Sequence, residues 1–230
     1  MFEHLQSVLP DAVIDSFCAV YQGLSAPGQT LSSAQRIEVA SRARDAAPRP
    51  LWESAPDLFS FEHAQSGSTP AGSAEALSPF LQALADRVAV ESRSLDSETV
   101  AAIIEIVGDA MYAEVVAIVA QVVPIDHCLR AIDQPLEPLP QPGVGDPTND
   151  RPEGLGDIGA FIEATTPFRG PNVARSLSLA GPDNALRLKV VRSMYSGTNF
   201  GEMVWSDRAL TRPQIELVAA RTSALNECFY

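Results

Sequence analysis

Apolar residues recur along most of this chain at intervals of three and four, the spacing that lines one face of a helix. Runs alternating apolar and polar at every second residue are missing. The pattern predicts an all-α fold in which strands are unexpected. A first helix is predicted over about residues 10–24, where Pro10 suits a first helical turn and Val13, Phe17, Val20 and Tyr21 make one apolar face. A second runs over about 33–47, capped by Ser32 or Ser33 and stopped before Pro48 and Pro50. Gly, Ser, Thr and Pro alternate over 66–73, which reads as a loop. The strongest helical signals follow, over 76–90 and 97–123, with Asp96 or Ser97 as cap of the longer one and Gly108 splitting it. Val100, Ile103, Ile104 and Val107 share one face, and Val115, Ile118, Val119 and Val122 repeat that spacing. The two are expected to form a hairpin at the centre of the core.

From 134 to 152 the pattern breaks. Six prolines with Gly143 and Gly145 cannot continue a helix and read as an extended linker. This divides the chain into a first helical unit (1–133), a linker (134–156) and a second unit (157–230). The second unit is predicted to hold short helices near 158–164 and 172–179, one over about 182–195 and a last one over about 213–224.

An ordered pattern recurs between the halves. Pro10-Asp11 opens a helix ending near Tyr21, and Ile37-Glu38 sits in the next; Pro182-Asp183 opens a helix ending near Tyr195, and Ile215-Glu216 sits in the next. On that reading the second unit stops three helices short of the first. It would leave apolar faces for another chain to cover, an argument for an oligomer or a longer protein.

Charge narrows the function classes. A formal net charge of -13, with no cluster of Lys and Arg beyond a dipeptide, argues against binding nucleic acid or acidic membranes. The N-terminal segment lacks a basic region followed by an apolar run, and the most apolar stretch, 115–125, is short for a bilayer and interrupted by Gln121. The expectation is a soluble cytoplasmic protein. Cys18, Cys128 and Cys228, about a hundred residues apart, fit reduced thiols better than a disulfide framework.

Candidate chemistry concentrates at the end of the sequence. A helix bearing Glu216 and Arg221 leads through Asn226 to Cys228 and the aromatic pair Phe229-Tyr230. Twelve residues on one straight helix would hold carboxylate and thiol about 18 Å apart, so they meet only if the chain turns at Asn226. A cysteine starting a further helix would feel its positive dipole end, favouring thiolate, while a nearby Glu exchanges a proton. The segment 210–230 resembles the core motif of the alkylhydroperoxidase D and carboxymuconolactone decarboxylase family. In that family a Glu-bearing helix passes through an Asn-containing turn to Cys-x-x-Cys and a following His. Fainter similarity covers 109–133, with Asp126-His127-Cys128 and Arg130, and 172–177. The position twelve residues after Glu38 is Pro50, so the first half resembles a degenerate, non-catalytic copy.

The resemblance implies a helical fold of two tandem units, Glu216 and Cys228 as catalytic residues, and thiol-based reduction of hydroperoxides. It implies a hydroperoxide substrate, an external dithiol reductant, no metal, flavin or haem, and homo-oligomers. The given sequence departs from the family where the second cysteine and the His would follow, so the segment as it stands is not expected to complete a dithiol cycle. Two other readings stand beside it: a non-catalytic helical interaction protein, and a carboxymuconolactone-type decarboxylase using an acid/base pocket.

Elsewhere, the bland readings prevail. Asp126, His127 and Cys128 are adjacent on a helix and point to different faces, so His127 is a helix-end residue rather than a ligand. Cys18 on an apolar face is expected to be buried and inert. His63, among Phe59 and Phe61, belongs to a loop packing over the core. Gly143-Val144-Gly145 lacks the strand and helix of a phosphate loop, and Glu38 is read as a surface salt-bridge partner.

Overall fold

The computed structural model describes residues 1–47, 76–195 and 209–225, and over these the chain is mostly helical. The expected loop over 66–73, His63, Pro48, Pro50, Asn226 and Cys228 lie outside the described residues.

Helix α1 (Asp11–Leu24) buries Val13, Ile14, Phe17, Val20, Tyr21 and Leu24, the stripe its spacing predicts. Phe2 inserts between its aromatics, with ring centroids 5.6 Å from Phe17 and 4.8 Å from Tyr21, both edge-on. Helix α2 (Ser33–Ala46) opens on a full capping box: Ser32 Oγ accepts from Gln35 N, and Gln35 Oε1 accepts from Ser32 N. Helix α3 (Pro79–Glu91) begins three residues later than predicted, because Ser78 accepts from Leu81 N as cap and Pro79 fills the first turn.

Asp96 caps helix α4 (Ser97–Val107), and Gly108 at φ 83° separates it from α5 (Asp109–Ala131). The expected central hairpin is corrected here. Only Val100 and Ile103 of α4 are buried and Ile106 is exposed, whereas α5 forms the axis of the core, because its flanks are taken by α2, α3 and the later helix α7 (Gly181–Met194). Val115, Ile118, Val119 and Val122 are buried on α5 as their spacing predicts. The helix also continues eight residues past its predicted end, through Pro124. That proline lies on the exposed face, so the hydrogen bond it removes is lost where water replaces it. By length and composition α5 is the one helix among the described residues long and apolar enough to cross a membrane, longer than the 115–125 stretch suggested. Its apolar window is 67% buried inside the molecule.

The segment after α5 runs without regular structure to residue 154, but it is strapped to the first helices. Gly143 N donates to Ser25 O at 2.8 Å and to Ser33 Oγ at 3.0 Å, Thr148 N to Gly28 O at 3.0 Å, and Asn149 N to Gln29 O at 2.8 Å. Leu136 and Leu139 pack against the core. A two-stranded antiparallel ribbon follows, β1 (Leu155–Gly156) paired with β2 (Ala164–Thr165). It replaces the helix predicted over 158–164: Gly154 and Gly159 adopt φ of 70° and 74°, and the Asp157 carboxylate accepts from Gly159 N at 2.8 Å, so the chain turns instead of coiling. A single turn, α6 (Asn172–Arg175), leads through a 3₁₀ segment to α7, which packs on α1 and α5; Leu179 and Ala180 of the 3₁₀ segment and Val190 of α7 join the same core as the first helices. The last described helix, α8 (Arg212–Leu225), buries no residue.

Candidate functional site

Glu216 sits one turn into α8, whose start is organised by Gln214: its Oε1 accepts from Thr211 N at 2.9 Å and from Thr211 Oγ1 at 2.8 Å. Arg212 Nε lies 3.6 Å from Glu216 Oε1, an i,i+4 pair with both side chains about half exposed. Water screens such a pair, which stabilises the helix by roughly 0.3–0.5 kcal/mol. Asn226 and Cys228 follow the helix in sequence, outside the described residues, and Leu217, Val218 and Leu225 are exposed along it. The acidic residue of the first half behaves otherwise than as the predicted surface salt bridge. Glu38 accepts from Leu77 N at 2.9 Å and from Gln82 Nε2 at 2.8 Å, fastening α2 to the start of α3.

The other sequence candidates separate as helix geometry requires. His127 is exposed and Cys128 is half-buried. Asp126 is fully buried, accepting from Arg44 Nε at 2.8 Å and Arg44 Nη2 at 2.9 Å. Cys18 is half-buried beside the Met1 carbonyl rather than enclosed. Burial pushes both thiols above their ordinary value, which makes thiolate scarcer at neutral pH.

A more tightly built polar centre lies where α2, α5 and α7 meet. Arg36, 3% exposed, donates from Nη1 to Glu114 Oε1 at 2.5 Å and to Asp183 Oδ2 at 2.9 Å, and from Nη2 to Asp183 Oδ1 at 2.7 Å. The second oxygen of Glu114 accepts from Thr30 N at 2.6 Å and Thr30 Oγ1 at 2.7 Å. Gln121 Nε2 donates to Ala117 O at 2.9 Å and Asp183 Oδ1 at 3.3 Å. Burial opposes the charge of Arg36, but the hydrogen bonds and charges of Asp183 and Glu114 outweigh it and raise its pKa above the ordinary arginine value. Gly28 is required against this centre, since a Cβ there would fall 1.9 Å from Glu114 Oε1. Every carboxylate oxygen is already held by a donor, so the arrangement supplies fixed charge rather than a free acid or base.

Beside the centre is an open cleft of about 340 Å³, bordered by the 26–29 loop, residues 148–152 and the start of α7. Its polar lining includes Gln29, Arg36, Asp183, Thr148, Asp150 and Arg151, and its apolar walls Pro27, Pro182 and Leu186. None of these residues is a site candidate from sequence, although a signal exists. Glu114 and Gln121 stand seven apart among the buried positions of the longest helix, and Arg36 falls on the same stripe as Val39, Ala40 and Ala43. Charged residues at such positions need partners. Comparison with protein-family models, curated proteins and solved structures found no match for this chain.

Proposed function

We propose that the chain takes part in thiol-dependent reduction of hydroperoxides in the manner of alkylhydroperoxidase D-like proteins, with Cys228 as attacking thiol and Glu216 as the group that handles the proton. The observation that carries the reading is the helix Arg212–Leu225, which bears Glu216 and Arg221 and is followed in the sequence by Asn226 and Cys228, the residue order of that family's motif. In the reaction the Cys228 thiolate attacks the terminal peroxide oxygen, the O–O bond breaks, and sulfur keeps that hydroxyl as sulfenic acid. The alkoxide leaves as alcohol with the proton from Glu216. One thiol of an external dithiol then condenses with the sulfenic acid, releasing water. Its second thiol displaces Cys228 from the mixed disulfide and leaves the reductant oxidised.

The test is cumene hydroperoxide consumption with dithiothreitol as reductant. Cys228→Ser is expected to fall to the rate of dithiothreitol alone, and Glu216→Gln to lose about a hundredfold or more, within the range of about 10²–10⁴ that a positioned proton donor contributes. A Cys228→Ser variant as fast as the parent would sink the reading. The second reading, a helical interaction protein, is favoured by the exposure of Leu217, Val218 and Leu225 on that same helix. Absence of turnover, combined with self-association by light scattering that Leu217→Glu abolishes, would put it in first place.

A further inference from the structure

We propose that the ribbon β1–β2 and the loop that follows it form a docking face for a second copy of this chain, the two ribbons lying antiparallel across a two-fold axis. The inference is independent of the thiol chemistry and of α8. The face is open: residues 166–173 are exposed without a break, and Phe161 (50%), Phe168 (37%) and Val173 (53%) keep much of their surface in water. Phe161 sits in the turn that joins the strands, and Phe168 and Val173 follow the other end of the ribbon, so each end carries exposed apolar surface. Large apolar side chains recurring over one exposed stretch and rimmed by charge mark a contact surface.

Charge identifies what covers it. Residues 146–163 carry five acids and one arginine, whereas 164–195 carry five bases and one acid, in a chain whose totals are 29 acids to 16 bases. Gly156 stands opposite Ala164, and Thr166 N donates to Gly154 O, so Asp157 and Glu163 lie at the turn and Arg169 at the open end. The open end is held in shape. Arg175 lies over the Phe168 ring, 5.6 Å from its centroid, and donates to Thr165 O at 3.1 Å and Asn172 Oδ1 at 2.8 Å, while Arg187 donates to Val173 O at 2.6 Å. Among the described residues none of Arg169, Arg175 and Arg187 is paired with a carboxylate. A face with acid at one end and base at the other is complementary to itself under a two-fold, where each acidic end meets the basic end of the other copy. A foreign acidic partner would satisfy the base and be repelled by the acid. The span 150–175 also matches the roughly 20–30 residues a side of a standard interface. The net charge of -13 on each copy opposes association at long range, but at physiological salt it is screened beyond about 8 Å and the contact pairs remain.

The experiment is sedimentation equilibrium of the whole chain at neutral pH and physiological salt, with two charge reversals at exposed positions, Arg169→Glu and Asp157→Lys. The parent is expected to dimerise, and each variant alone to associate at least tenfold more weakly with its melting temperature little changed. Mixed in equal amounts, the two variants are expected to recover the parent's association as a heterodimer. Glu at 169 then meets Lys at 157 on one side of the axis, and Asp157 meets Arg169 on the other. Native mass spectrometry separates that heterodimer from either homodimer. A parent that stays monomeric at the highest concentration measured would overturn the proposal, as would a dimer indifferent to both reversals, or a mixture that recovers nothing. Binding of a poly-glutamate peptide by a chain that remains monomeric would overturn it too, assigning the face to a foreign acidic partner.

Discussion

Position 36 shows how much depends on one side chain. Arg36→Met keeps much of the volume but leaves Glu114 and Asp183 buried without their cation, a situation that costs roughly 3–5 kcal/mol. Chemical denaturation should register that loss, and the triple variant Arg36→Met, Glu114→Gln, Asp183→Asn should recover most of it, because the charges then vanish together. A triple variant as unstable as the single one would show that the guanidinium contributes packing rather than charge pairing. The tyrosines set a second limit, at high pH. Burial raises Tyr112 from 10.0 to about 12, and burial does the same for Tyr21 despite the opposing charge of Arg44. Between those values the unfolded chain has released protons that the folded chain retains. Stability is therefore fully present below about pH 10 and falls as the pH rises towards about 12. Each ring contributes up to about 2–3 kcal/mol to that decline, at about 1.36 kcal/mol per unit. Tyr112→Phe should leave neutral stability within about 1 kcal/mol and roughly halve the alkaline slope, since the shift of Tyr112 comes from burial alone. An unchanged slope in denaturant melts across this range would count against it.

Among the elements, Gly108 is the point where the sequence spoke clearly and the packing did not follow it. Its φ of 83° with ψ of 155° is a conformation essentially confined to glycine, and nothing lies within 4 Å of where a Cβ would stand. Gly108→Ala therefore isolates backbone strain and should cost roughly 1–3 kcal/mol in denaturant melts; a neutral result would mean the break between α4 and α5 is softer than its dihedrals. Caps and stripes of this kind are local, which is why α1, α2, α5 and α7 were legible from residues such as Ser32, Phe17 and Val115. Two element errors have local causes of the opposite sort. Pro124 signals an end, yet the burial of Ile125, Asp126 and Leu129 beyond it carries α5 onward. Ile158 and Ile162 have helical spacing, yet Gly154, Asp157 and Gly159 turn the chain into a ribbon. The order of residues around Glu216 was legible because they are neighbours in sequence. The cluster of Arg36, Glu114 and Asp183 was not, because 78 and 147 residues separate Arg36 from its partners. Only the fold brings them together.

On the scale of the whole molecule, the segment from 134 to 152 has the composition of a spacer and the contacts of a clamp. It ties the end of α5 to the first helices, and the chain beyond it returns Asp183 to Arg36 and Ser193 to Ser16, whose hydroxyls lie 2.7 Å apart. Proline suits both roles, since an extended strap needs few backbone donors and loses little entropy on being fixed. Gly143 distinguishes them. Its N–H bonds Ser25 O, and a Cβ there would stand 2.3 Å from that same carbonyl oxygen, so Gly143→Ala must lift the strap from α1. A free spacer would tolerate the change within about 0.5 kcal/mol, whereas a packed clamp loses roughly 1–3 kcal/mol. Hydrogen exchange reads where the loss is felt. Val20 in α1 and Val190 in α7 are both in the shared core, so their amides should open with one common free energy that Gly143→Ala lowers equally. If only Val20 responded, the strap would serve the first helices alone, and α7 would hold its place through Arg36 and its carboxylates without help from the segment that delivers it.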